Sequence, residues 1–477
     1  MGTALLKATE MNQEHLLVLG AGPGGYTAAF LAADLGMKVT LVDAHPKPGG
    51  VCLHRGCIPS KALLHIAKLI SETRDAKAWG LEFGEPSIDL EKLKGWKNDV
   101  VQKMSGGLAQ LSKQRGINFI NGHGVFRDSH TLEISGKEKV IFDHCILAVG
   151  SRPFVPELFS GLGSLVMDST AALELNDIPP RLLVVGGGYI GLEMGSVYEA
   201  LGSGVTVVEM TEGLLPGVDR DLVRPLQARL KKRFDNILLN TKAVGVNESP
   251  SGVRVKLEFP SGTKEETFDR ILISVGRQPH SSGLGLENTK VEVDDNGFVQ
   301  VSHQQQTTDR SIWAIGDVVG GAMLAHKASS DAHLVVGTIS GQSVSPGKGI
   351  MPAVVFTDPE IAWCGATETE CREKGKAVNI SKIPWGASGR AQTIGRPDGL
   401  TKLIMEPGSD KILGAGIVGT GAGELIAEAV LAIEMDATAK DLASVIHPHP
   451  TLSETLKEAA EAYLGKSPHL VKKSSAR

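Results

Sequence analysis

The sequence predicts an α/β chain made of two copies of a strand–turn–helix–strand unit, each opening its own domain, and a separate α+β domain after residue 350. Three observations carry this. Apolar runs of strand length end in glycine-rich turns near residues 20 and 186, helix-like runs and second strands follow both turns, and composition shifts from residue 351 on. At 477 residues the chain exceeds what one hydrophobic core can serve, so several domains are expected.

In the first unit, "HLLVLG" is the buried strand, "AGPGG" the turn, "YTAAFLAADLG" the helix and "KVTLVD" the second strand. Gly20, Gly22 and Gly25 stand in G-x-G-x-x-G order, and Asp43 closes the second strand. The first glycine makes the tight turn, the second admits a pyrophosphate against the backbone, and the third packs helix on strand. The helix N-terminus then faces the phosphates, where free amides favour anions.

The pattern recurs in "RLLVVGGGYIGLEMGSVYEALGSGVTVVEM", residues 181–210, with Gly186, Gly188, Gly191 and the terminal acid Glu209. Two Rossmann-like dinucleotide-binding domains follow from this. A carboxylate at 209 accepts hydrogen bonds from a ribose 2′-hydroxyl and repels a 2′-phosphate, and the following "MTEGLL" offers no arginine. NAD is therefore favoured over NADP at the second site.

Residues 58–80 and 87–115 have helical spacing. Residues 117–149 and 236–275 alternate like strands and end in "DHCILAVGSRP" and "DRILISVGRQP", whose shared V-G-x-x-P places Gly150 and Gly276 at equivalent points, both candidate cofactor-binding residues. Such a repeat is expected where the chain leaves one nucleotide domain and enters the next. "SIWAIGDV", 311–318, reads as a short buried strand ending in an exposed acid, Asp317. The final part holds strands, a glycine-rich stretch over 414–423 and a helix near 423–435. The expected domains are 1–152, 153–280, a segment 281–350 returning to the first, and 351–477.

Composition excludes several classes of function. Hydrophobic residues at 42% and charged ones at 22% are ordinary for a globular protein, and a net charge of −5 gives no electrostatic footprint for nucleic acid. The stretch "MGTALLKATEMNQEH" lacks the apolar core of a secretory signal, and no apolar run is long enough to span a membrane. A cytoplasmic location is expected, with the mitochondrial matrix as the alternative for a mature chain. Five cysteines in a reducing compartment do not read as a structural disulfide framework.

Two of the five, Cys52 and Cys57, lie in "GGVCLHRGCIPSK" just before a helix-like run, with Arg55 between them. A helix N-terminus and nearby cations favour the thiolate, so the pair is placed to exchange electrons. Zinc is the rival, but it needs four ligands at C-x₂₋₄-C-like spacing, and no partner pair is evident. No metal site is read.

These motifs together resemble the flavin-dependent pyridine nucleotide-disulfide oxidoreductases. The resemblance spans 15–465 and rests on "GAGPGGYTAA", "GGVCLHRGCIPSKALL", "LAVGSRP", "VVGGGYIGLE", "VTVVE", "SVGRQP", "AIGDV", "AHKA", "PAVVFTDPEIAWCG" and "HPHPTLSE". It implies that Gly20, Gly22, Gly25, Asp43 and Asp317 hold FAD, with Lys61 beside the isoalloxazine ring and Glu193 pairing with that lysine. Gly186, Gly188, Gly191 and Glu209 resemble the NAD site. Cys52 matches the thiol that attacks the substrate, Cys57 the one next to the flavin, His449 the acid–base histidine and Glu454 the carboxylate that orients it.

The activity implied is oxidation of a dihydrolipoyl dithiol through a Cys52–Cys57 disulfide and FAD, with reduction of NAD⁺. The implied partners are lipoyl-bearing proteins of 2-oxo acid dehydrogenase or glycine cleavage complexes. A homodimer through residues 351–477 is implied too, His449 and Glu454 serving the other subunit's site. Alternatives are another NAD(P)H-dependent disulfide reductase of the family, or a flavoprotein kept as a non-catalytic subunit. Ser60 and Glu209 argue against a glutathione-directed, NADPH-using member, and the tail "KSPHLVKKSSAR" lacks the extra cysteine pair of mercuric reductases. Departures from the family pattern include Val51 and His54 in "GGVCLH", where Thr and Asn are commoner, and Pro448 before His449. None removes a reacting group.

Overall fold

A computed structural model describes residues 14–136, 138–342 and 347–470. The expectations about the N-terminal stretch and the end of the tail fall on 1–13 and 471–477, outside the described residues. The chain divides into two compact units.

The first unit takes its residues from Met1–Ser60, Glu91–Phe154 and Gly276–Pro346. Its centre is a parallel sheet in the order Ile312–Ala314, His144–Leu147, His15–Leu19, Lys38–Asp43, Asn118–Asn121. Leu16, Leu17, Val18, Ile146 and Leu147 are fully buried because both sheet faces are covered, as parallel pairing by crossover requires. On one face the helix Pro23–Asp34 presents Ala28, Ala29 and Ala32 to Ala332, Val335 and Val336 of the helix Ala325–Ile339. Their small side chains let the backbones approach closely. On the other face Phe126 and Leu132 come from a three-stranded antiparallel sheet, Gly124–Asp128, Thr131–Ile134 and Glu138–Ile141.

Part of the second unit, which spans Lys61–Leu90, Val155–Val275 and Gly347–Arg477, repeats this plan. Its parallel sheet runs Asn236–Leu238, Gly204–Val208, Arg181–Val185, Arg270–Ile273, Val166–Met167, again with a three-stranded antiparallel crossover, Lys242–Ser249, Gly252–Phe259 and Gly262–Phe268. The duplication therefore extends from the glycine turns to the strand order. One strand breaks the symmetry: Val166–Met167 precedes its glycine turn in sequence, whereas Ile312–Ala314 lies far beyond its own. Residues 61–90, assigned from sequence to the first domain, pack with the second unit.

The same unit holds an antiparallel sheet in the order Ala353–Val355, Glu360–Gly365, Ile412–Gly419, Leu400–Met405, Asn379–Pro384. The helices Ala422–Glu434, Ala439–Ser444 and Glu454–Tyr463 share a core with it around the fully buried Trp385. Buried hydroxyls fix the last helix: Trp385 Nε1 donates to Thr401 Oγ1 at 3.0 Å, that hydroxyl donates to Thr455 Oγ1 at 2.8 Å, and Ser381 Oγ donates to the Ala459 carbonyl at 2.7 Å. Among the described residues no helix is long and apolar enough to cross a membrane.

A charge cluster ties this sheet to the helix Arg220–Leu230. The buried Lys402 ammonium lies 2.6 Å from Asp219, 2.8 Å from Asp221 and 3.4 Å from Glu368. Asp219 also accepts the Glu368 and Thr369 amides at 3.0 Å. Burial pushes its carboxyl up, but Lys402, the Glu368 amide and the Thr369 hydroxyl outweigh it and bring it down to about 2.

Candidate active site

The two glycine turns show which glycines the protein needs for itself. A Cβ on Gly20, at φ +102°, would fall 2.3 Å from the Ala148 carbonyl, and one on Gly25 would fall 1.7 Å from the Gly20 carbonyl. Gly186 and Gly191 repeat this, at 2.5 Å from Ser274 O and 2.3 Å from Gly186 O. The middle glycines differ: Gly22 would meet nothing nearer than 3.9 Å, and Gly188 nothing within 4 Å. Open space over a bare backbone at the start of a helix is what a dinucleotide's pyrophosphate requires, so both turns fit the group.

The acids at the strand ends brace these turns. Asp43 accepts the Ala21 amide at 2.6 Å and the His45 amide at 2.7 Å. Glu209 accepts the Gly187 amide at 2.7 Å, and the Thr211 amide and hydroxyl at 2.8 Å. In each case the carboxylate grips the amide just after the first glycine, and its remaining lone pairs can still accept from a ribose. Sequence reasoning had assigned only the ribose role.

Gly150 and Gly276, at φ +70° and +142°, turn the chain into two short strands that pair with each other: Ser151–Pro153 runs antiparallel to Arg277–Pro279. The two V-G-x-x-P ends are thus the two sides of one ribbon. Arg277 Nε donates to Ser151 Oγ at 2.7 Å, and the Ser151 hydroxyl donates to Asp317. Asp317 is only 23% exposed, so the expectation of an exposed acid is corrected: the serine hydroxyl and Arg277 close over it.

Cys52 sits half-buried in the short helix Gly50–Arg55, and Cys57, exposed, opens the helix Cys57–Asp75. The loop ahead of them lies on the dinucleotide turn, since the Gly49 amide donates to Ala21 O at 2.8 Å and a Cβ on Gly50 would fall 2.4 Å from Gly22 Cα. Tyr26, which sequence reasoning passed over, belongs to the same place. Its hydroxyl is held above its ordinary value by burial and then by the negative charge of Cys52 and Cys57. Cys145, Cys364 and Cys371 are buried. Burial pushes the Cys364 thiol to about 12 and that of Cys145 well above the ordinary range, which leaves both inert.

In the second unit Lys61 Nζ donates to the buried Glu193 carboxylate at 2.9 Å and stands 4.4 Å over the Phe356 ring. The Phe356 amide satisfies the other carboxylate oxygen at 3.0 Å. His449 and Glu454 also meet there: Nδ1 lies 3.0 Å from Oε1, and the Thr451 amide donates to Oε2 at 2.8 Å. Burial pushes the Glu454 carboxyl up, but the Thr451 amide and His449 outweigh it, and the group sits below its usual range. An ionised carboxylate can only accept, so Nδ1 carries the ring proton and Nε2 keeps its lone pair on a ring that is 76% exposed. His447 is engaged on both nitrogens, with Glu428 at 2.7 Å and the Val445 carbonyl at 3.2 Å, and its side chain is buried.

Residues 14–332 match the family model described as pyridine nucleotide-disulphide oxidoreductase, and residues 351–460 match the dimerisation domain of the same family. A dihydrolipoyl dehydrogenase of Vibrio cholerae is 43% identical over 455 residues, covering 94% of this chain and 96% of the relative. One from Thermus scotoductus is 43% identical over 464 residues, covering 97% and 100%. Among solved structures, LpdA from Mycobacterium tuberculosis superposes with a TM-score of 0.86 at 27% identity over 94% of this chain and 99% of that one. The HOCl-induced flavoprotein disulfide reductase RclA of Escherichia coli, solved as a Cu(II) complex, does so with 0.84 at 26% identity over 95% and 100%. The chain belongs to the pyridine nucleotide-disulphide oxidoreductases. As such it is an oxidoreductase that uses FAD and NAD and carries a dimerisation domain.

Proposed function

We propose that the chain is a dihydrolipoyl dehydrogenase that oxidises the dihydrolipoyl groups of cytoplasmic 2-oxo acid dehydrogenase or glycine cleavage complexes. The observation that carries this reading is the His449–Glu454 pair, an exposed imidazole backed by a carboxylate at 3.0 Å. A dithiol must shed protons to react, and this pair supplies an acceptor whose basic nitrogen faces outward. The sixteen-residue motif around Cys52 and Cys57, "GGVCLHRGCIPSKALL", and the 43% identity to enzymes of that name point the same way.

In the proposed dimer, His449 Nε2 of one copy takes a proton from the dithiol presented to the other copy's cysteine pair, and Glu454 steadies the resulting imidazolium. The substrate thiolate attacks Cys52 of the Cys52–Cys57 disulfide and forms a mixed disulfide, releasing Cys57 as thiolate. The second substrate thiol then attacks its own mixed disulfide, closing the lipoyl ring and leaving both cysteines reduced. FAD, when bound, links this two-electron thiol chemistry to hydride acceptance by NAD⁺. Gly20, Gly22, Gly25, Asp43, Gly150 and Asp317 would hold FAD, with Lys61 and Glu193 beside its ring. Gly186, Gly188, Gly191 and Glu209 would hold NAD, and Gly276 turns the chain back toward the ribbon.

The test is NAD⁺ reduction with dihydrolipoamide by wild type, Cys52→Ser and His449→Ala. Each variant should lose at least ~100-fold, the usual cost of removing a nucleophile or general base. Wild-type turnover in either variant, or none in the wild type, overturns the assignment.

A further inference from the structure

Beside the first dinucleotide turn and the redox pair lie two histidines that the chemistry above leaves without a part. His45 follows the strand that ends at Asp43, and His54 stands between Cys52 and Cys57 on the helix Gly50–Arg55. Their rings stack, with centroids 3.9 Å apart and planes 29° from parallel. His54 Nε2 lies 3.2 Å from the carbonyl oxygens of both Lys47 and Pro48. Carbonyls only accept, so Nε2 carries the proton and Nδ1 is the basic nitrogen.

His45 has a partner in either protonation state. Its Nδ1 is 3.3 Å from the Lys47 amide, which it accepts when neutral, and 3.0 Å from the Lys47 carbonyl, to which it donates when charged. Its own amide donates to Asp43, the acid that grips the Ala21 amide of the dinucleotide turn.

We propose that the His45–His54 stack is a positioning element for the redox pair: it pins the helix bearing Cys52 onto the loop against the dinucleotide turn and so sets how readily Cys52 can be reached. The proposal rests on the redox role read for that pair. The helix needs an anchor, because it has six residues and neither end is capped by a side chain. His54 provides one by donating back to Lys47 and Pro48.

Burial and then His45 hold His54 below the ordinary histidine value, against the pull of the Lys47 and Pro48 carbonyls and Asp43. With its value lowered the His54 ring stays neutral at neutral pH, and it anchors the helix through its one N–H.

The test follows alkylation of Cys52 by iodoacetamide in the reduced, FAD-loaded dimer at neutral pH, with the modified peptide identified by mass. No lipoyl substrate is involved, so failure here is distinct from failure of the proposed function. His54→Ala loses the anchor, and the half-buried Cys52 should then react several-fold faster than in wild type. His54→Asn keeps a donor to the carbonyls and should return most of the way to the wild-type rate, while His45→Phe keeps a ring to stack and should match wild type. A wild-type rate in His54→Ala, or a His54→Asn rate as high as that of His54→Ala, overturns the proposal.

Discussion

Glu454→Gln changes one atom and should silence the acid–base histidine. In the native pair one carboxylate oxygen accepts the Thr451 amide at 2.8 Å and the other accepts His449 Nδ1 at 3.0 Å. Gln has one acceptor oxygen for these two donors. The backbone amide can only donate, so the oxygen goes to Thr451 and the NH₂ faces Nδ1. It then donates to Nδ1, and the ring proton moves to Nε2, the edge that must accept. The opposite placement sets N–H against N–H and costs about 1–3 kcal/mol. A histidine locked in the wrong tautomer loses on the order of 10³–10⁴ in rate, or about 4–5.5 kcal/mol of transition-state stabilisation. The assay is steady-state NAD⁺ reduction by dihydrolipoamide, with NADH-driven dye reduction as a control that bypasses thiol deprotonation. Only the first rate should fall. Because the Glu454 carboxyl lies below its ordinary value in the fold, the native pairing is present above that ordinary value and is lost as pH falls through the lowered one, so wild type keeps the correct tautomer at neutral pH. A Glu454→Gln enzyme with wild-type kcat and pH profile would refute the argument.

Gly191→Ala places a methyl group 2.3 Å from the Gly186 carbonyl, so the second turn must open while the first is untouched. KM for NAD⁺ should rise at least ~10-fold, about 1.4 kcal/mol, with the visible flavin absorbance retained. Asp219→Asn should cost about 2.5 kcal/mol in denaturant unfolding, because the fold lowers that carboxyl from 3.8 to about 2. The loss stays below that of an orphaned buried charge, since Lys402 keeps Asp221 at 2.8 Å and Glu368 at 3.4 Å. The sign follows from a depressed carboxyl: wild type holds this stabilisation above about pH 4 and loses it as pH falls toward 2, while the variant shows no such dependence.

What was legible in the sequence is what local chemistry dictates. Gly20, Gly25, Gly186 and Gly191 are glycine because a neighbouring carbonyl leaves no room, and that constraint appears as a pattern within one short stretch. The buried strands were legible for the same reason, as unbroken apolar runs such as Leu16–Leu19. Contacts between distant segments were not. Nothing in "SIWAIGDV" announces that Ser151 will cover Asp317, and nothing in either V-G-x-x-P announces that the two pair with each other. The helix expected from Tyr26 begins at Pro23, because proline is pre-set for a first turn whose amide needs no partner. The bracing of the turns by Asp43 and Glu209 was hidden in a different way, since a carboxylate that grips an amide and one that awaits a ribose look the same in sequence.

The ribbon of Ser151–Pro153 and Arg277–Pro279 has a consequence for how the gene product is put together. Cross-strand neighbours in such a ladder stand only about 5 Å apart, so the chain departs and comes home at nearly one point. Tethering a stretch of about 120 residues at both ends forfeits roughly 4 kcal/mol of chain freedom. Arg277, latched to Ser151 by two hydrogen bonds, supplies the clasp that offsets it. Residues 155–275 are in this sense a guest inserted into a host, and a host sewn shut at the clasp would keep every strand of its own parallel sheet.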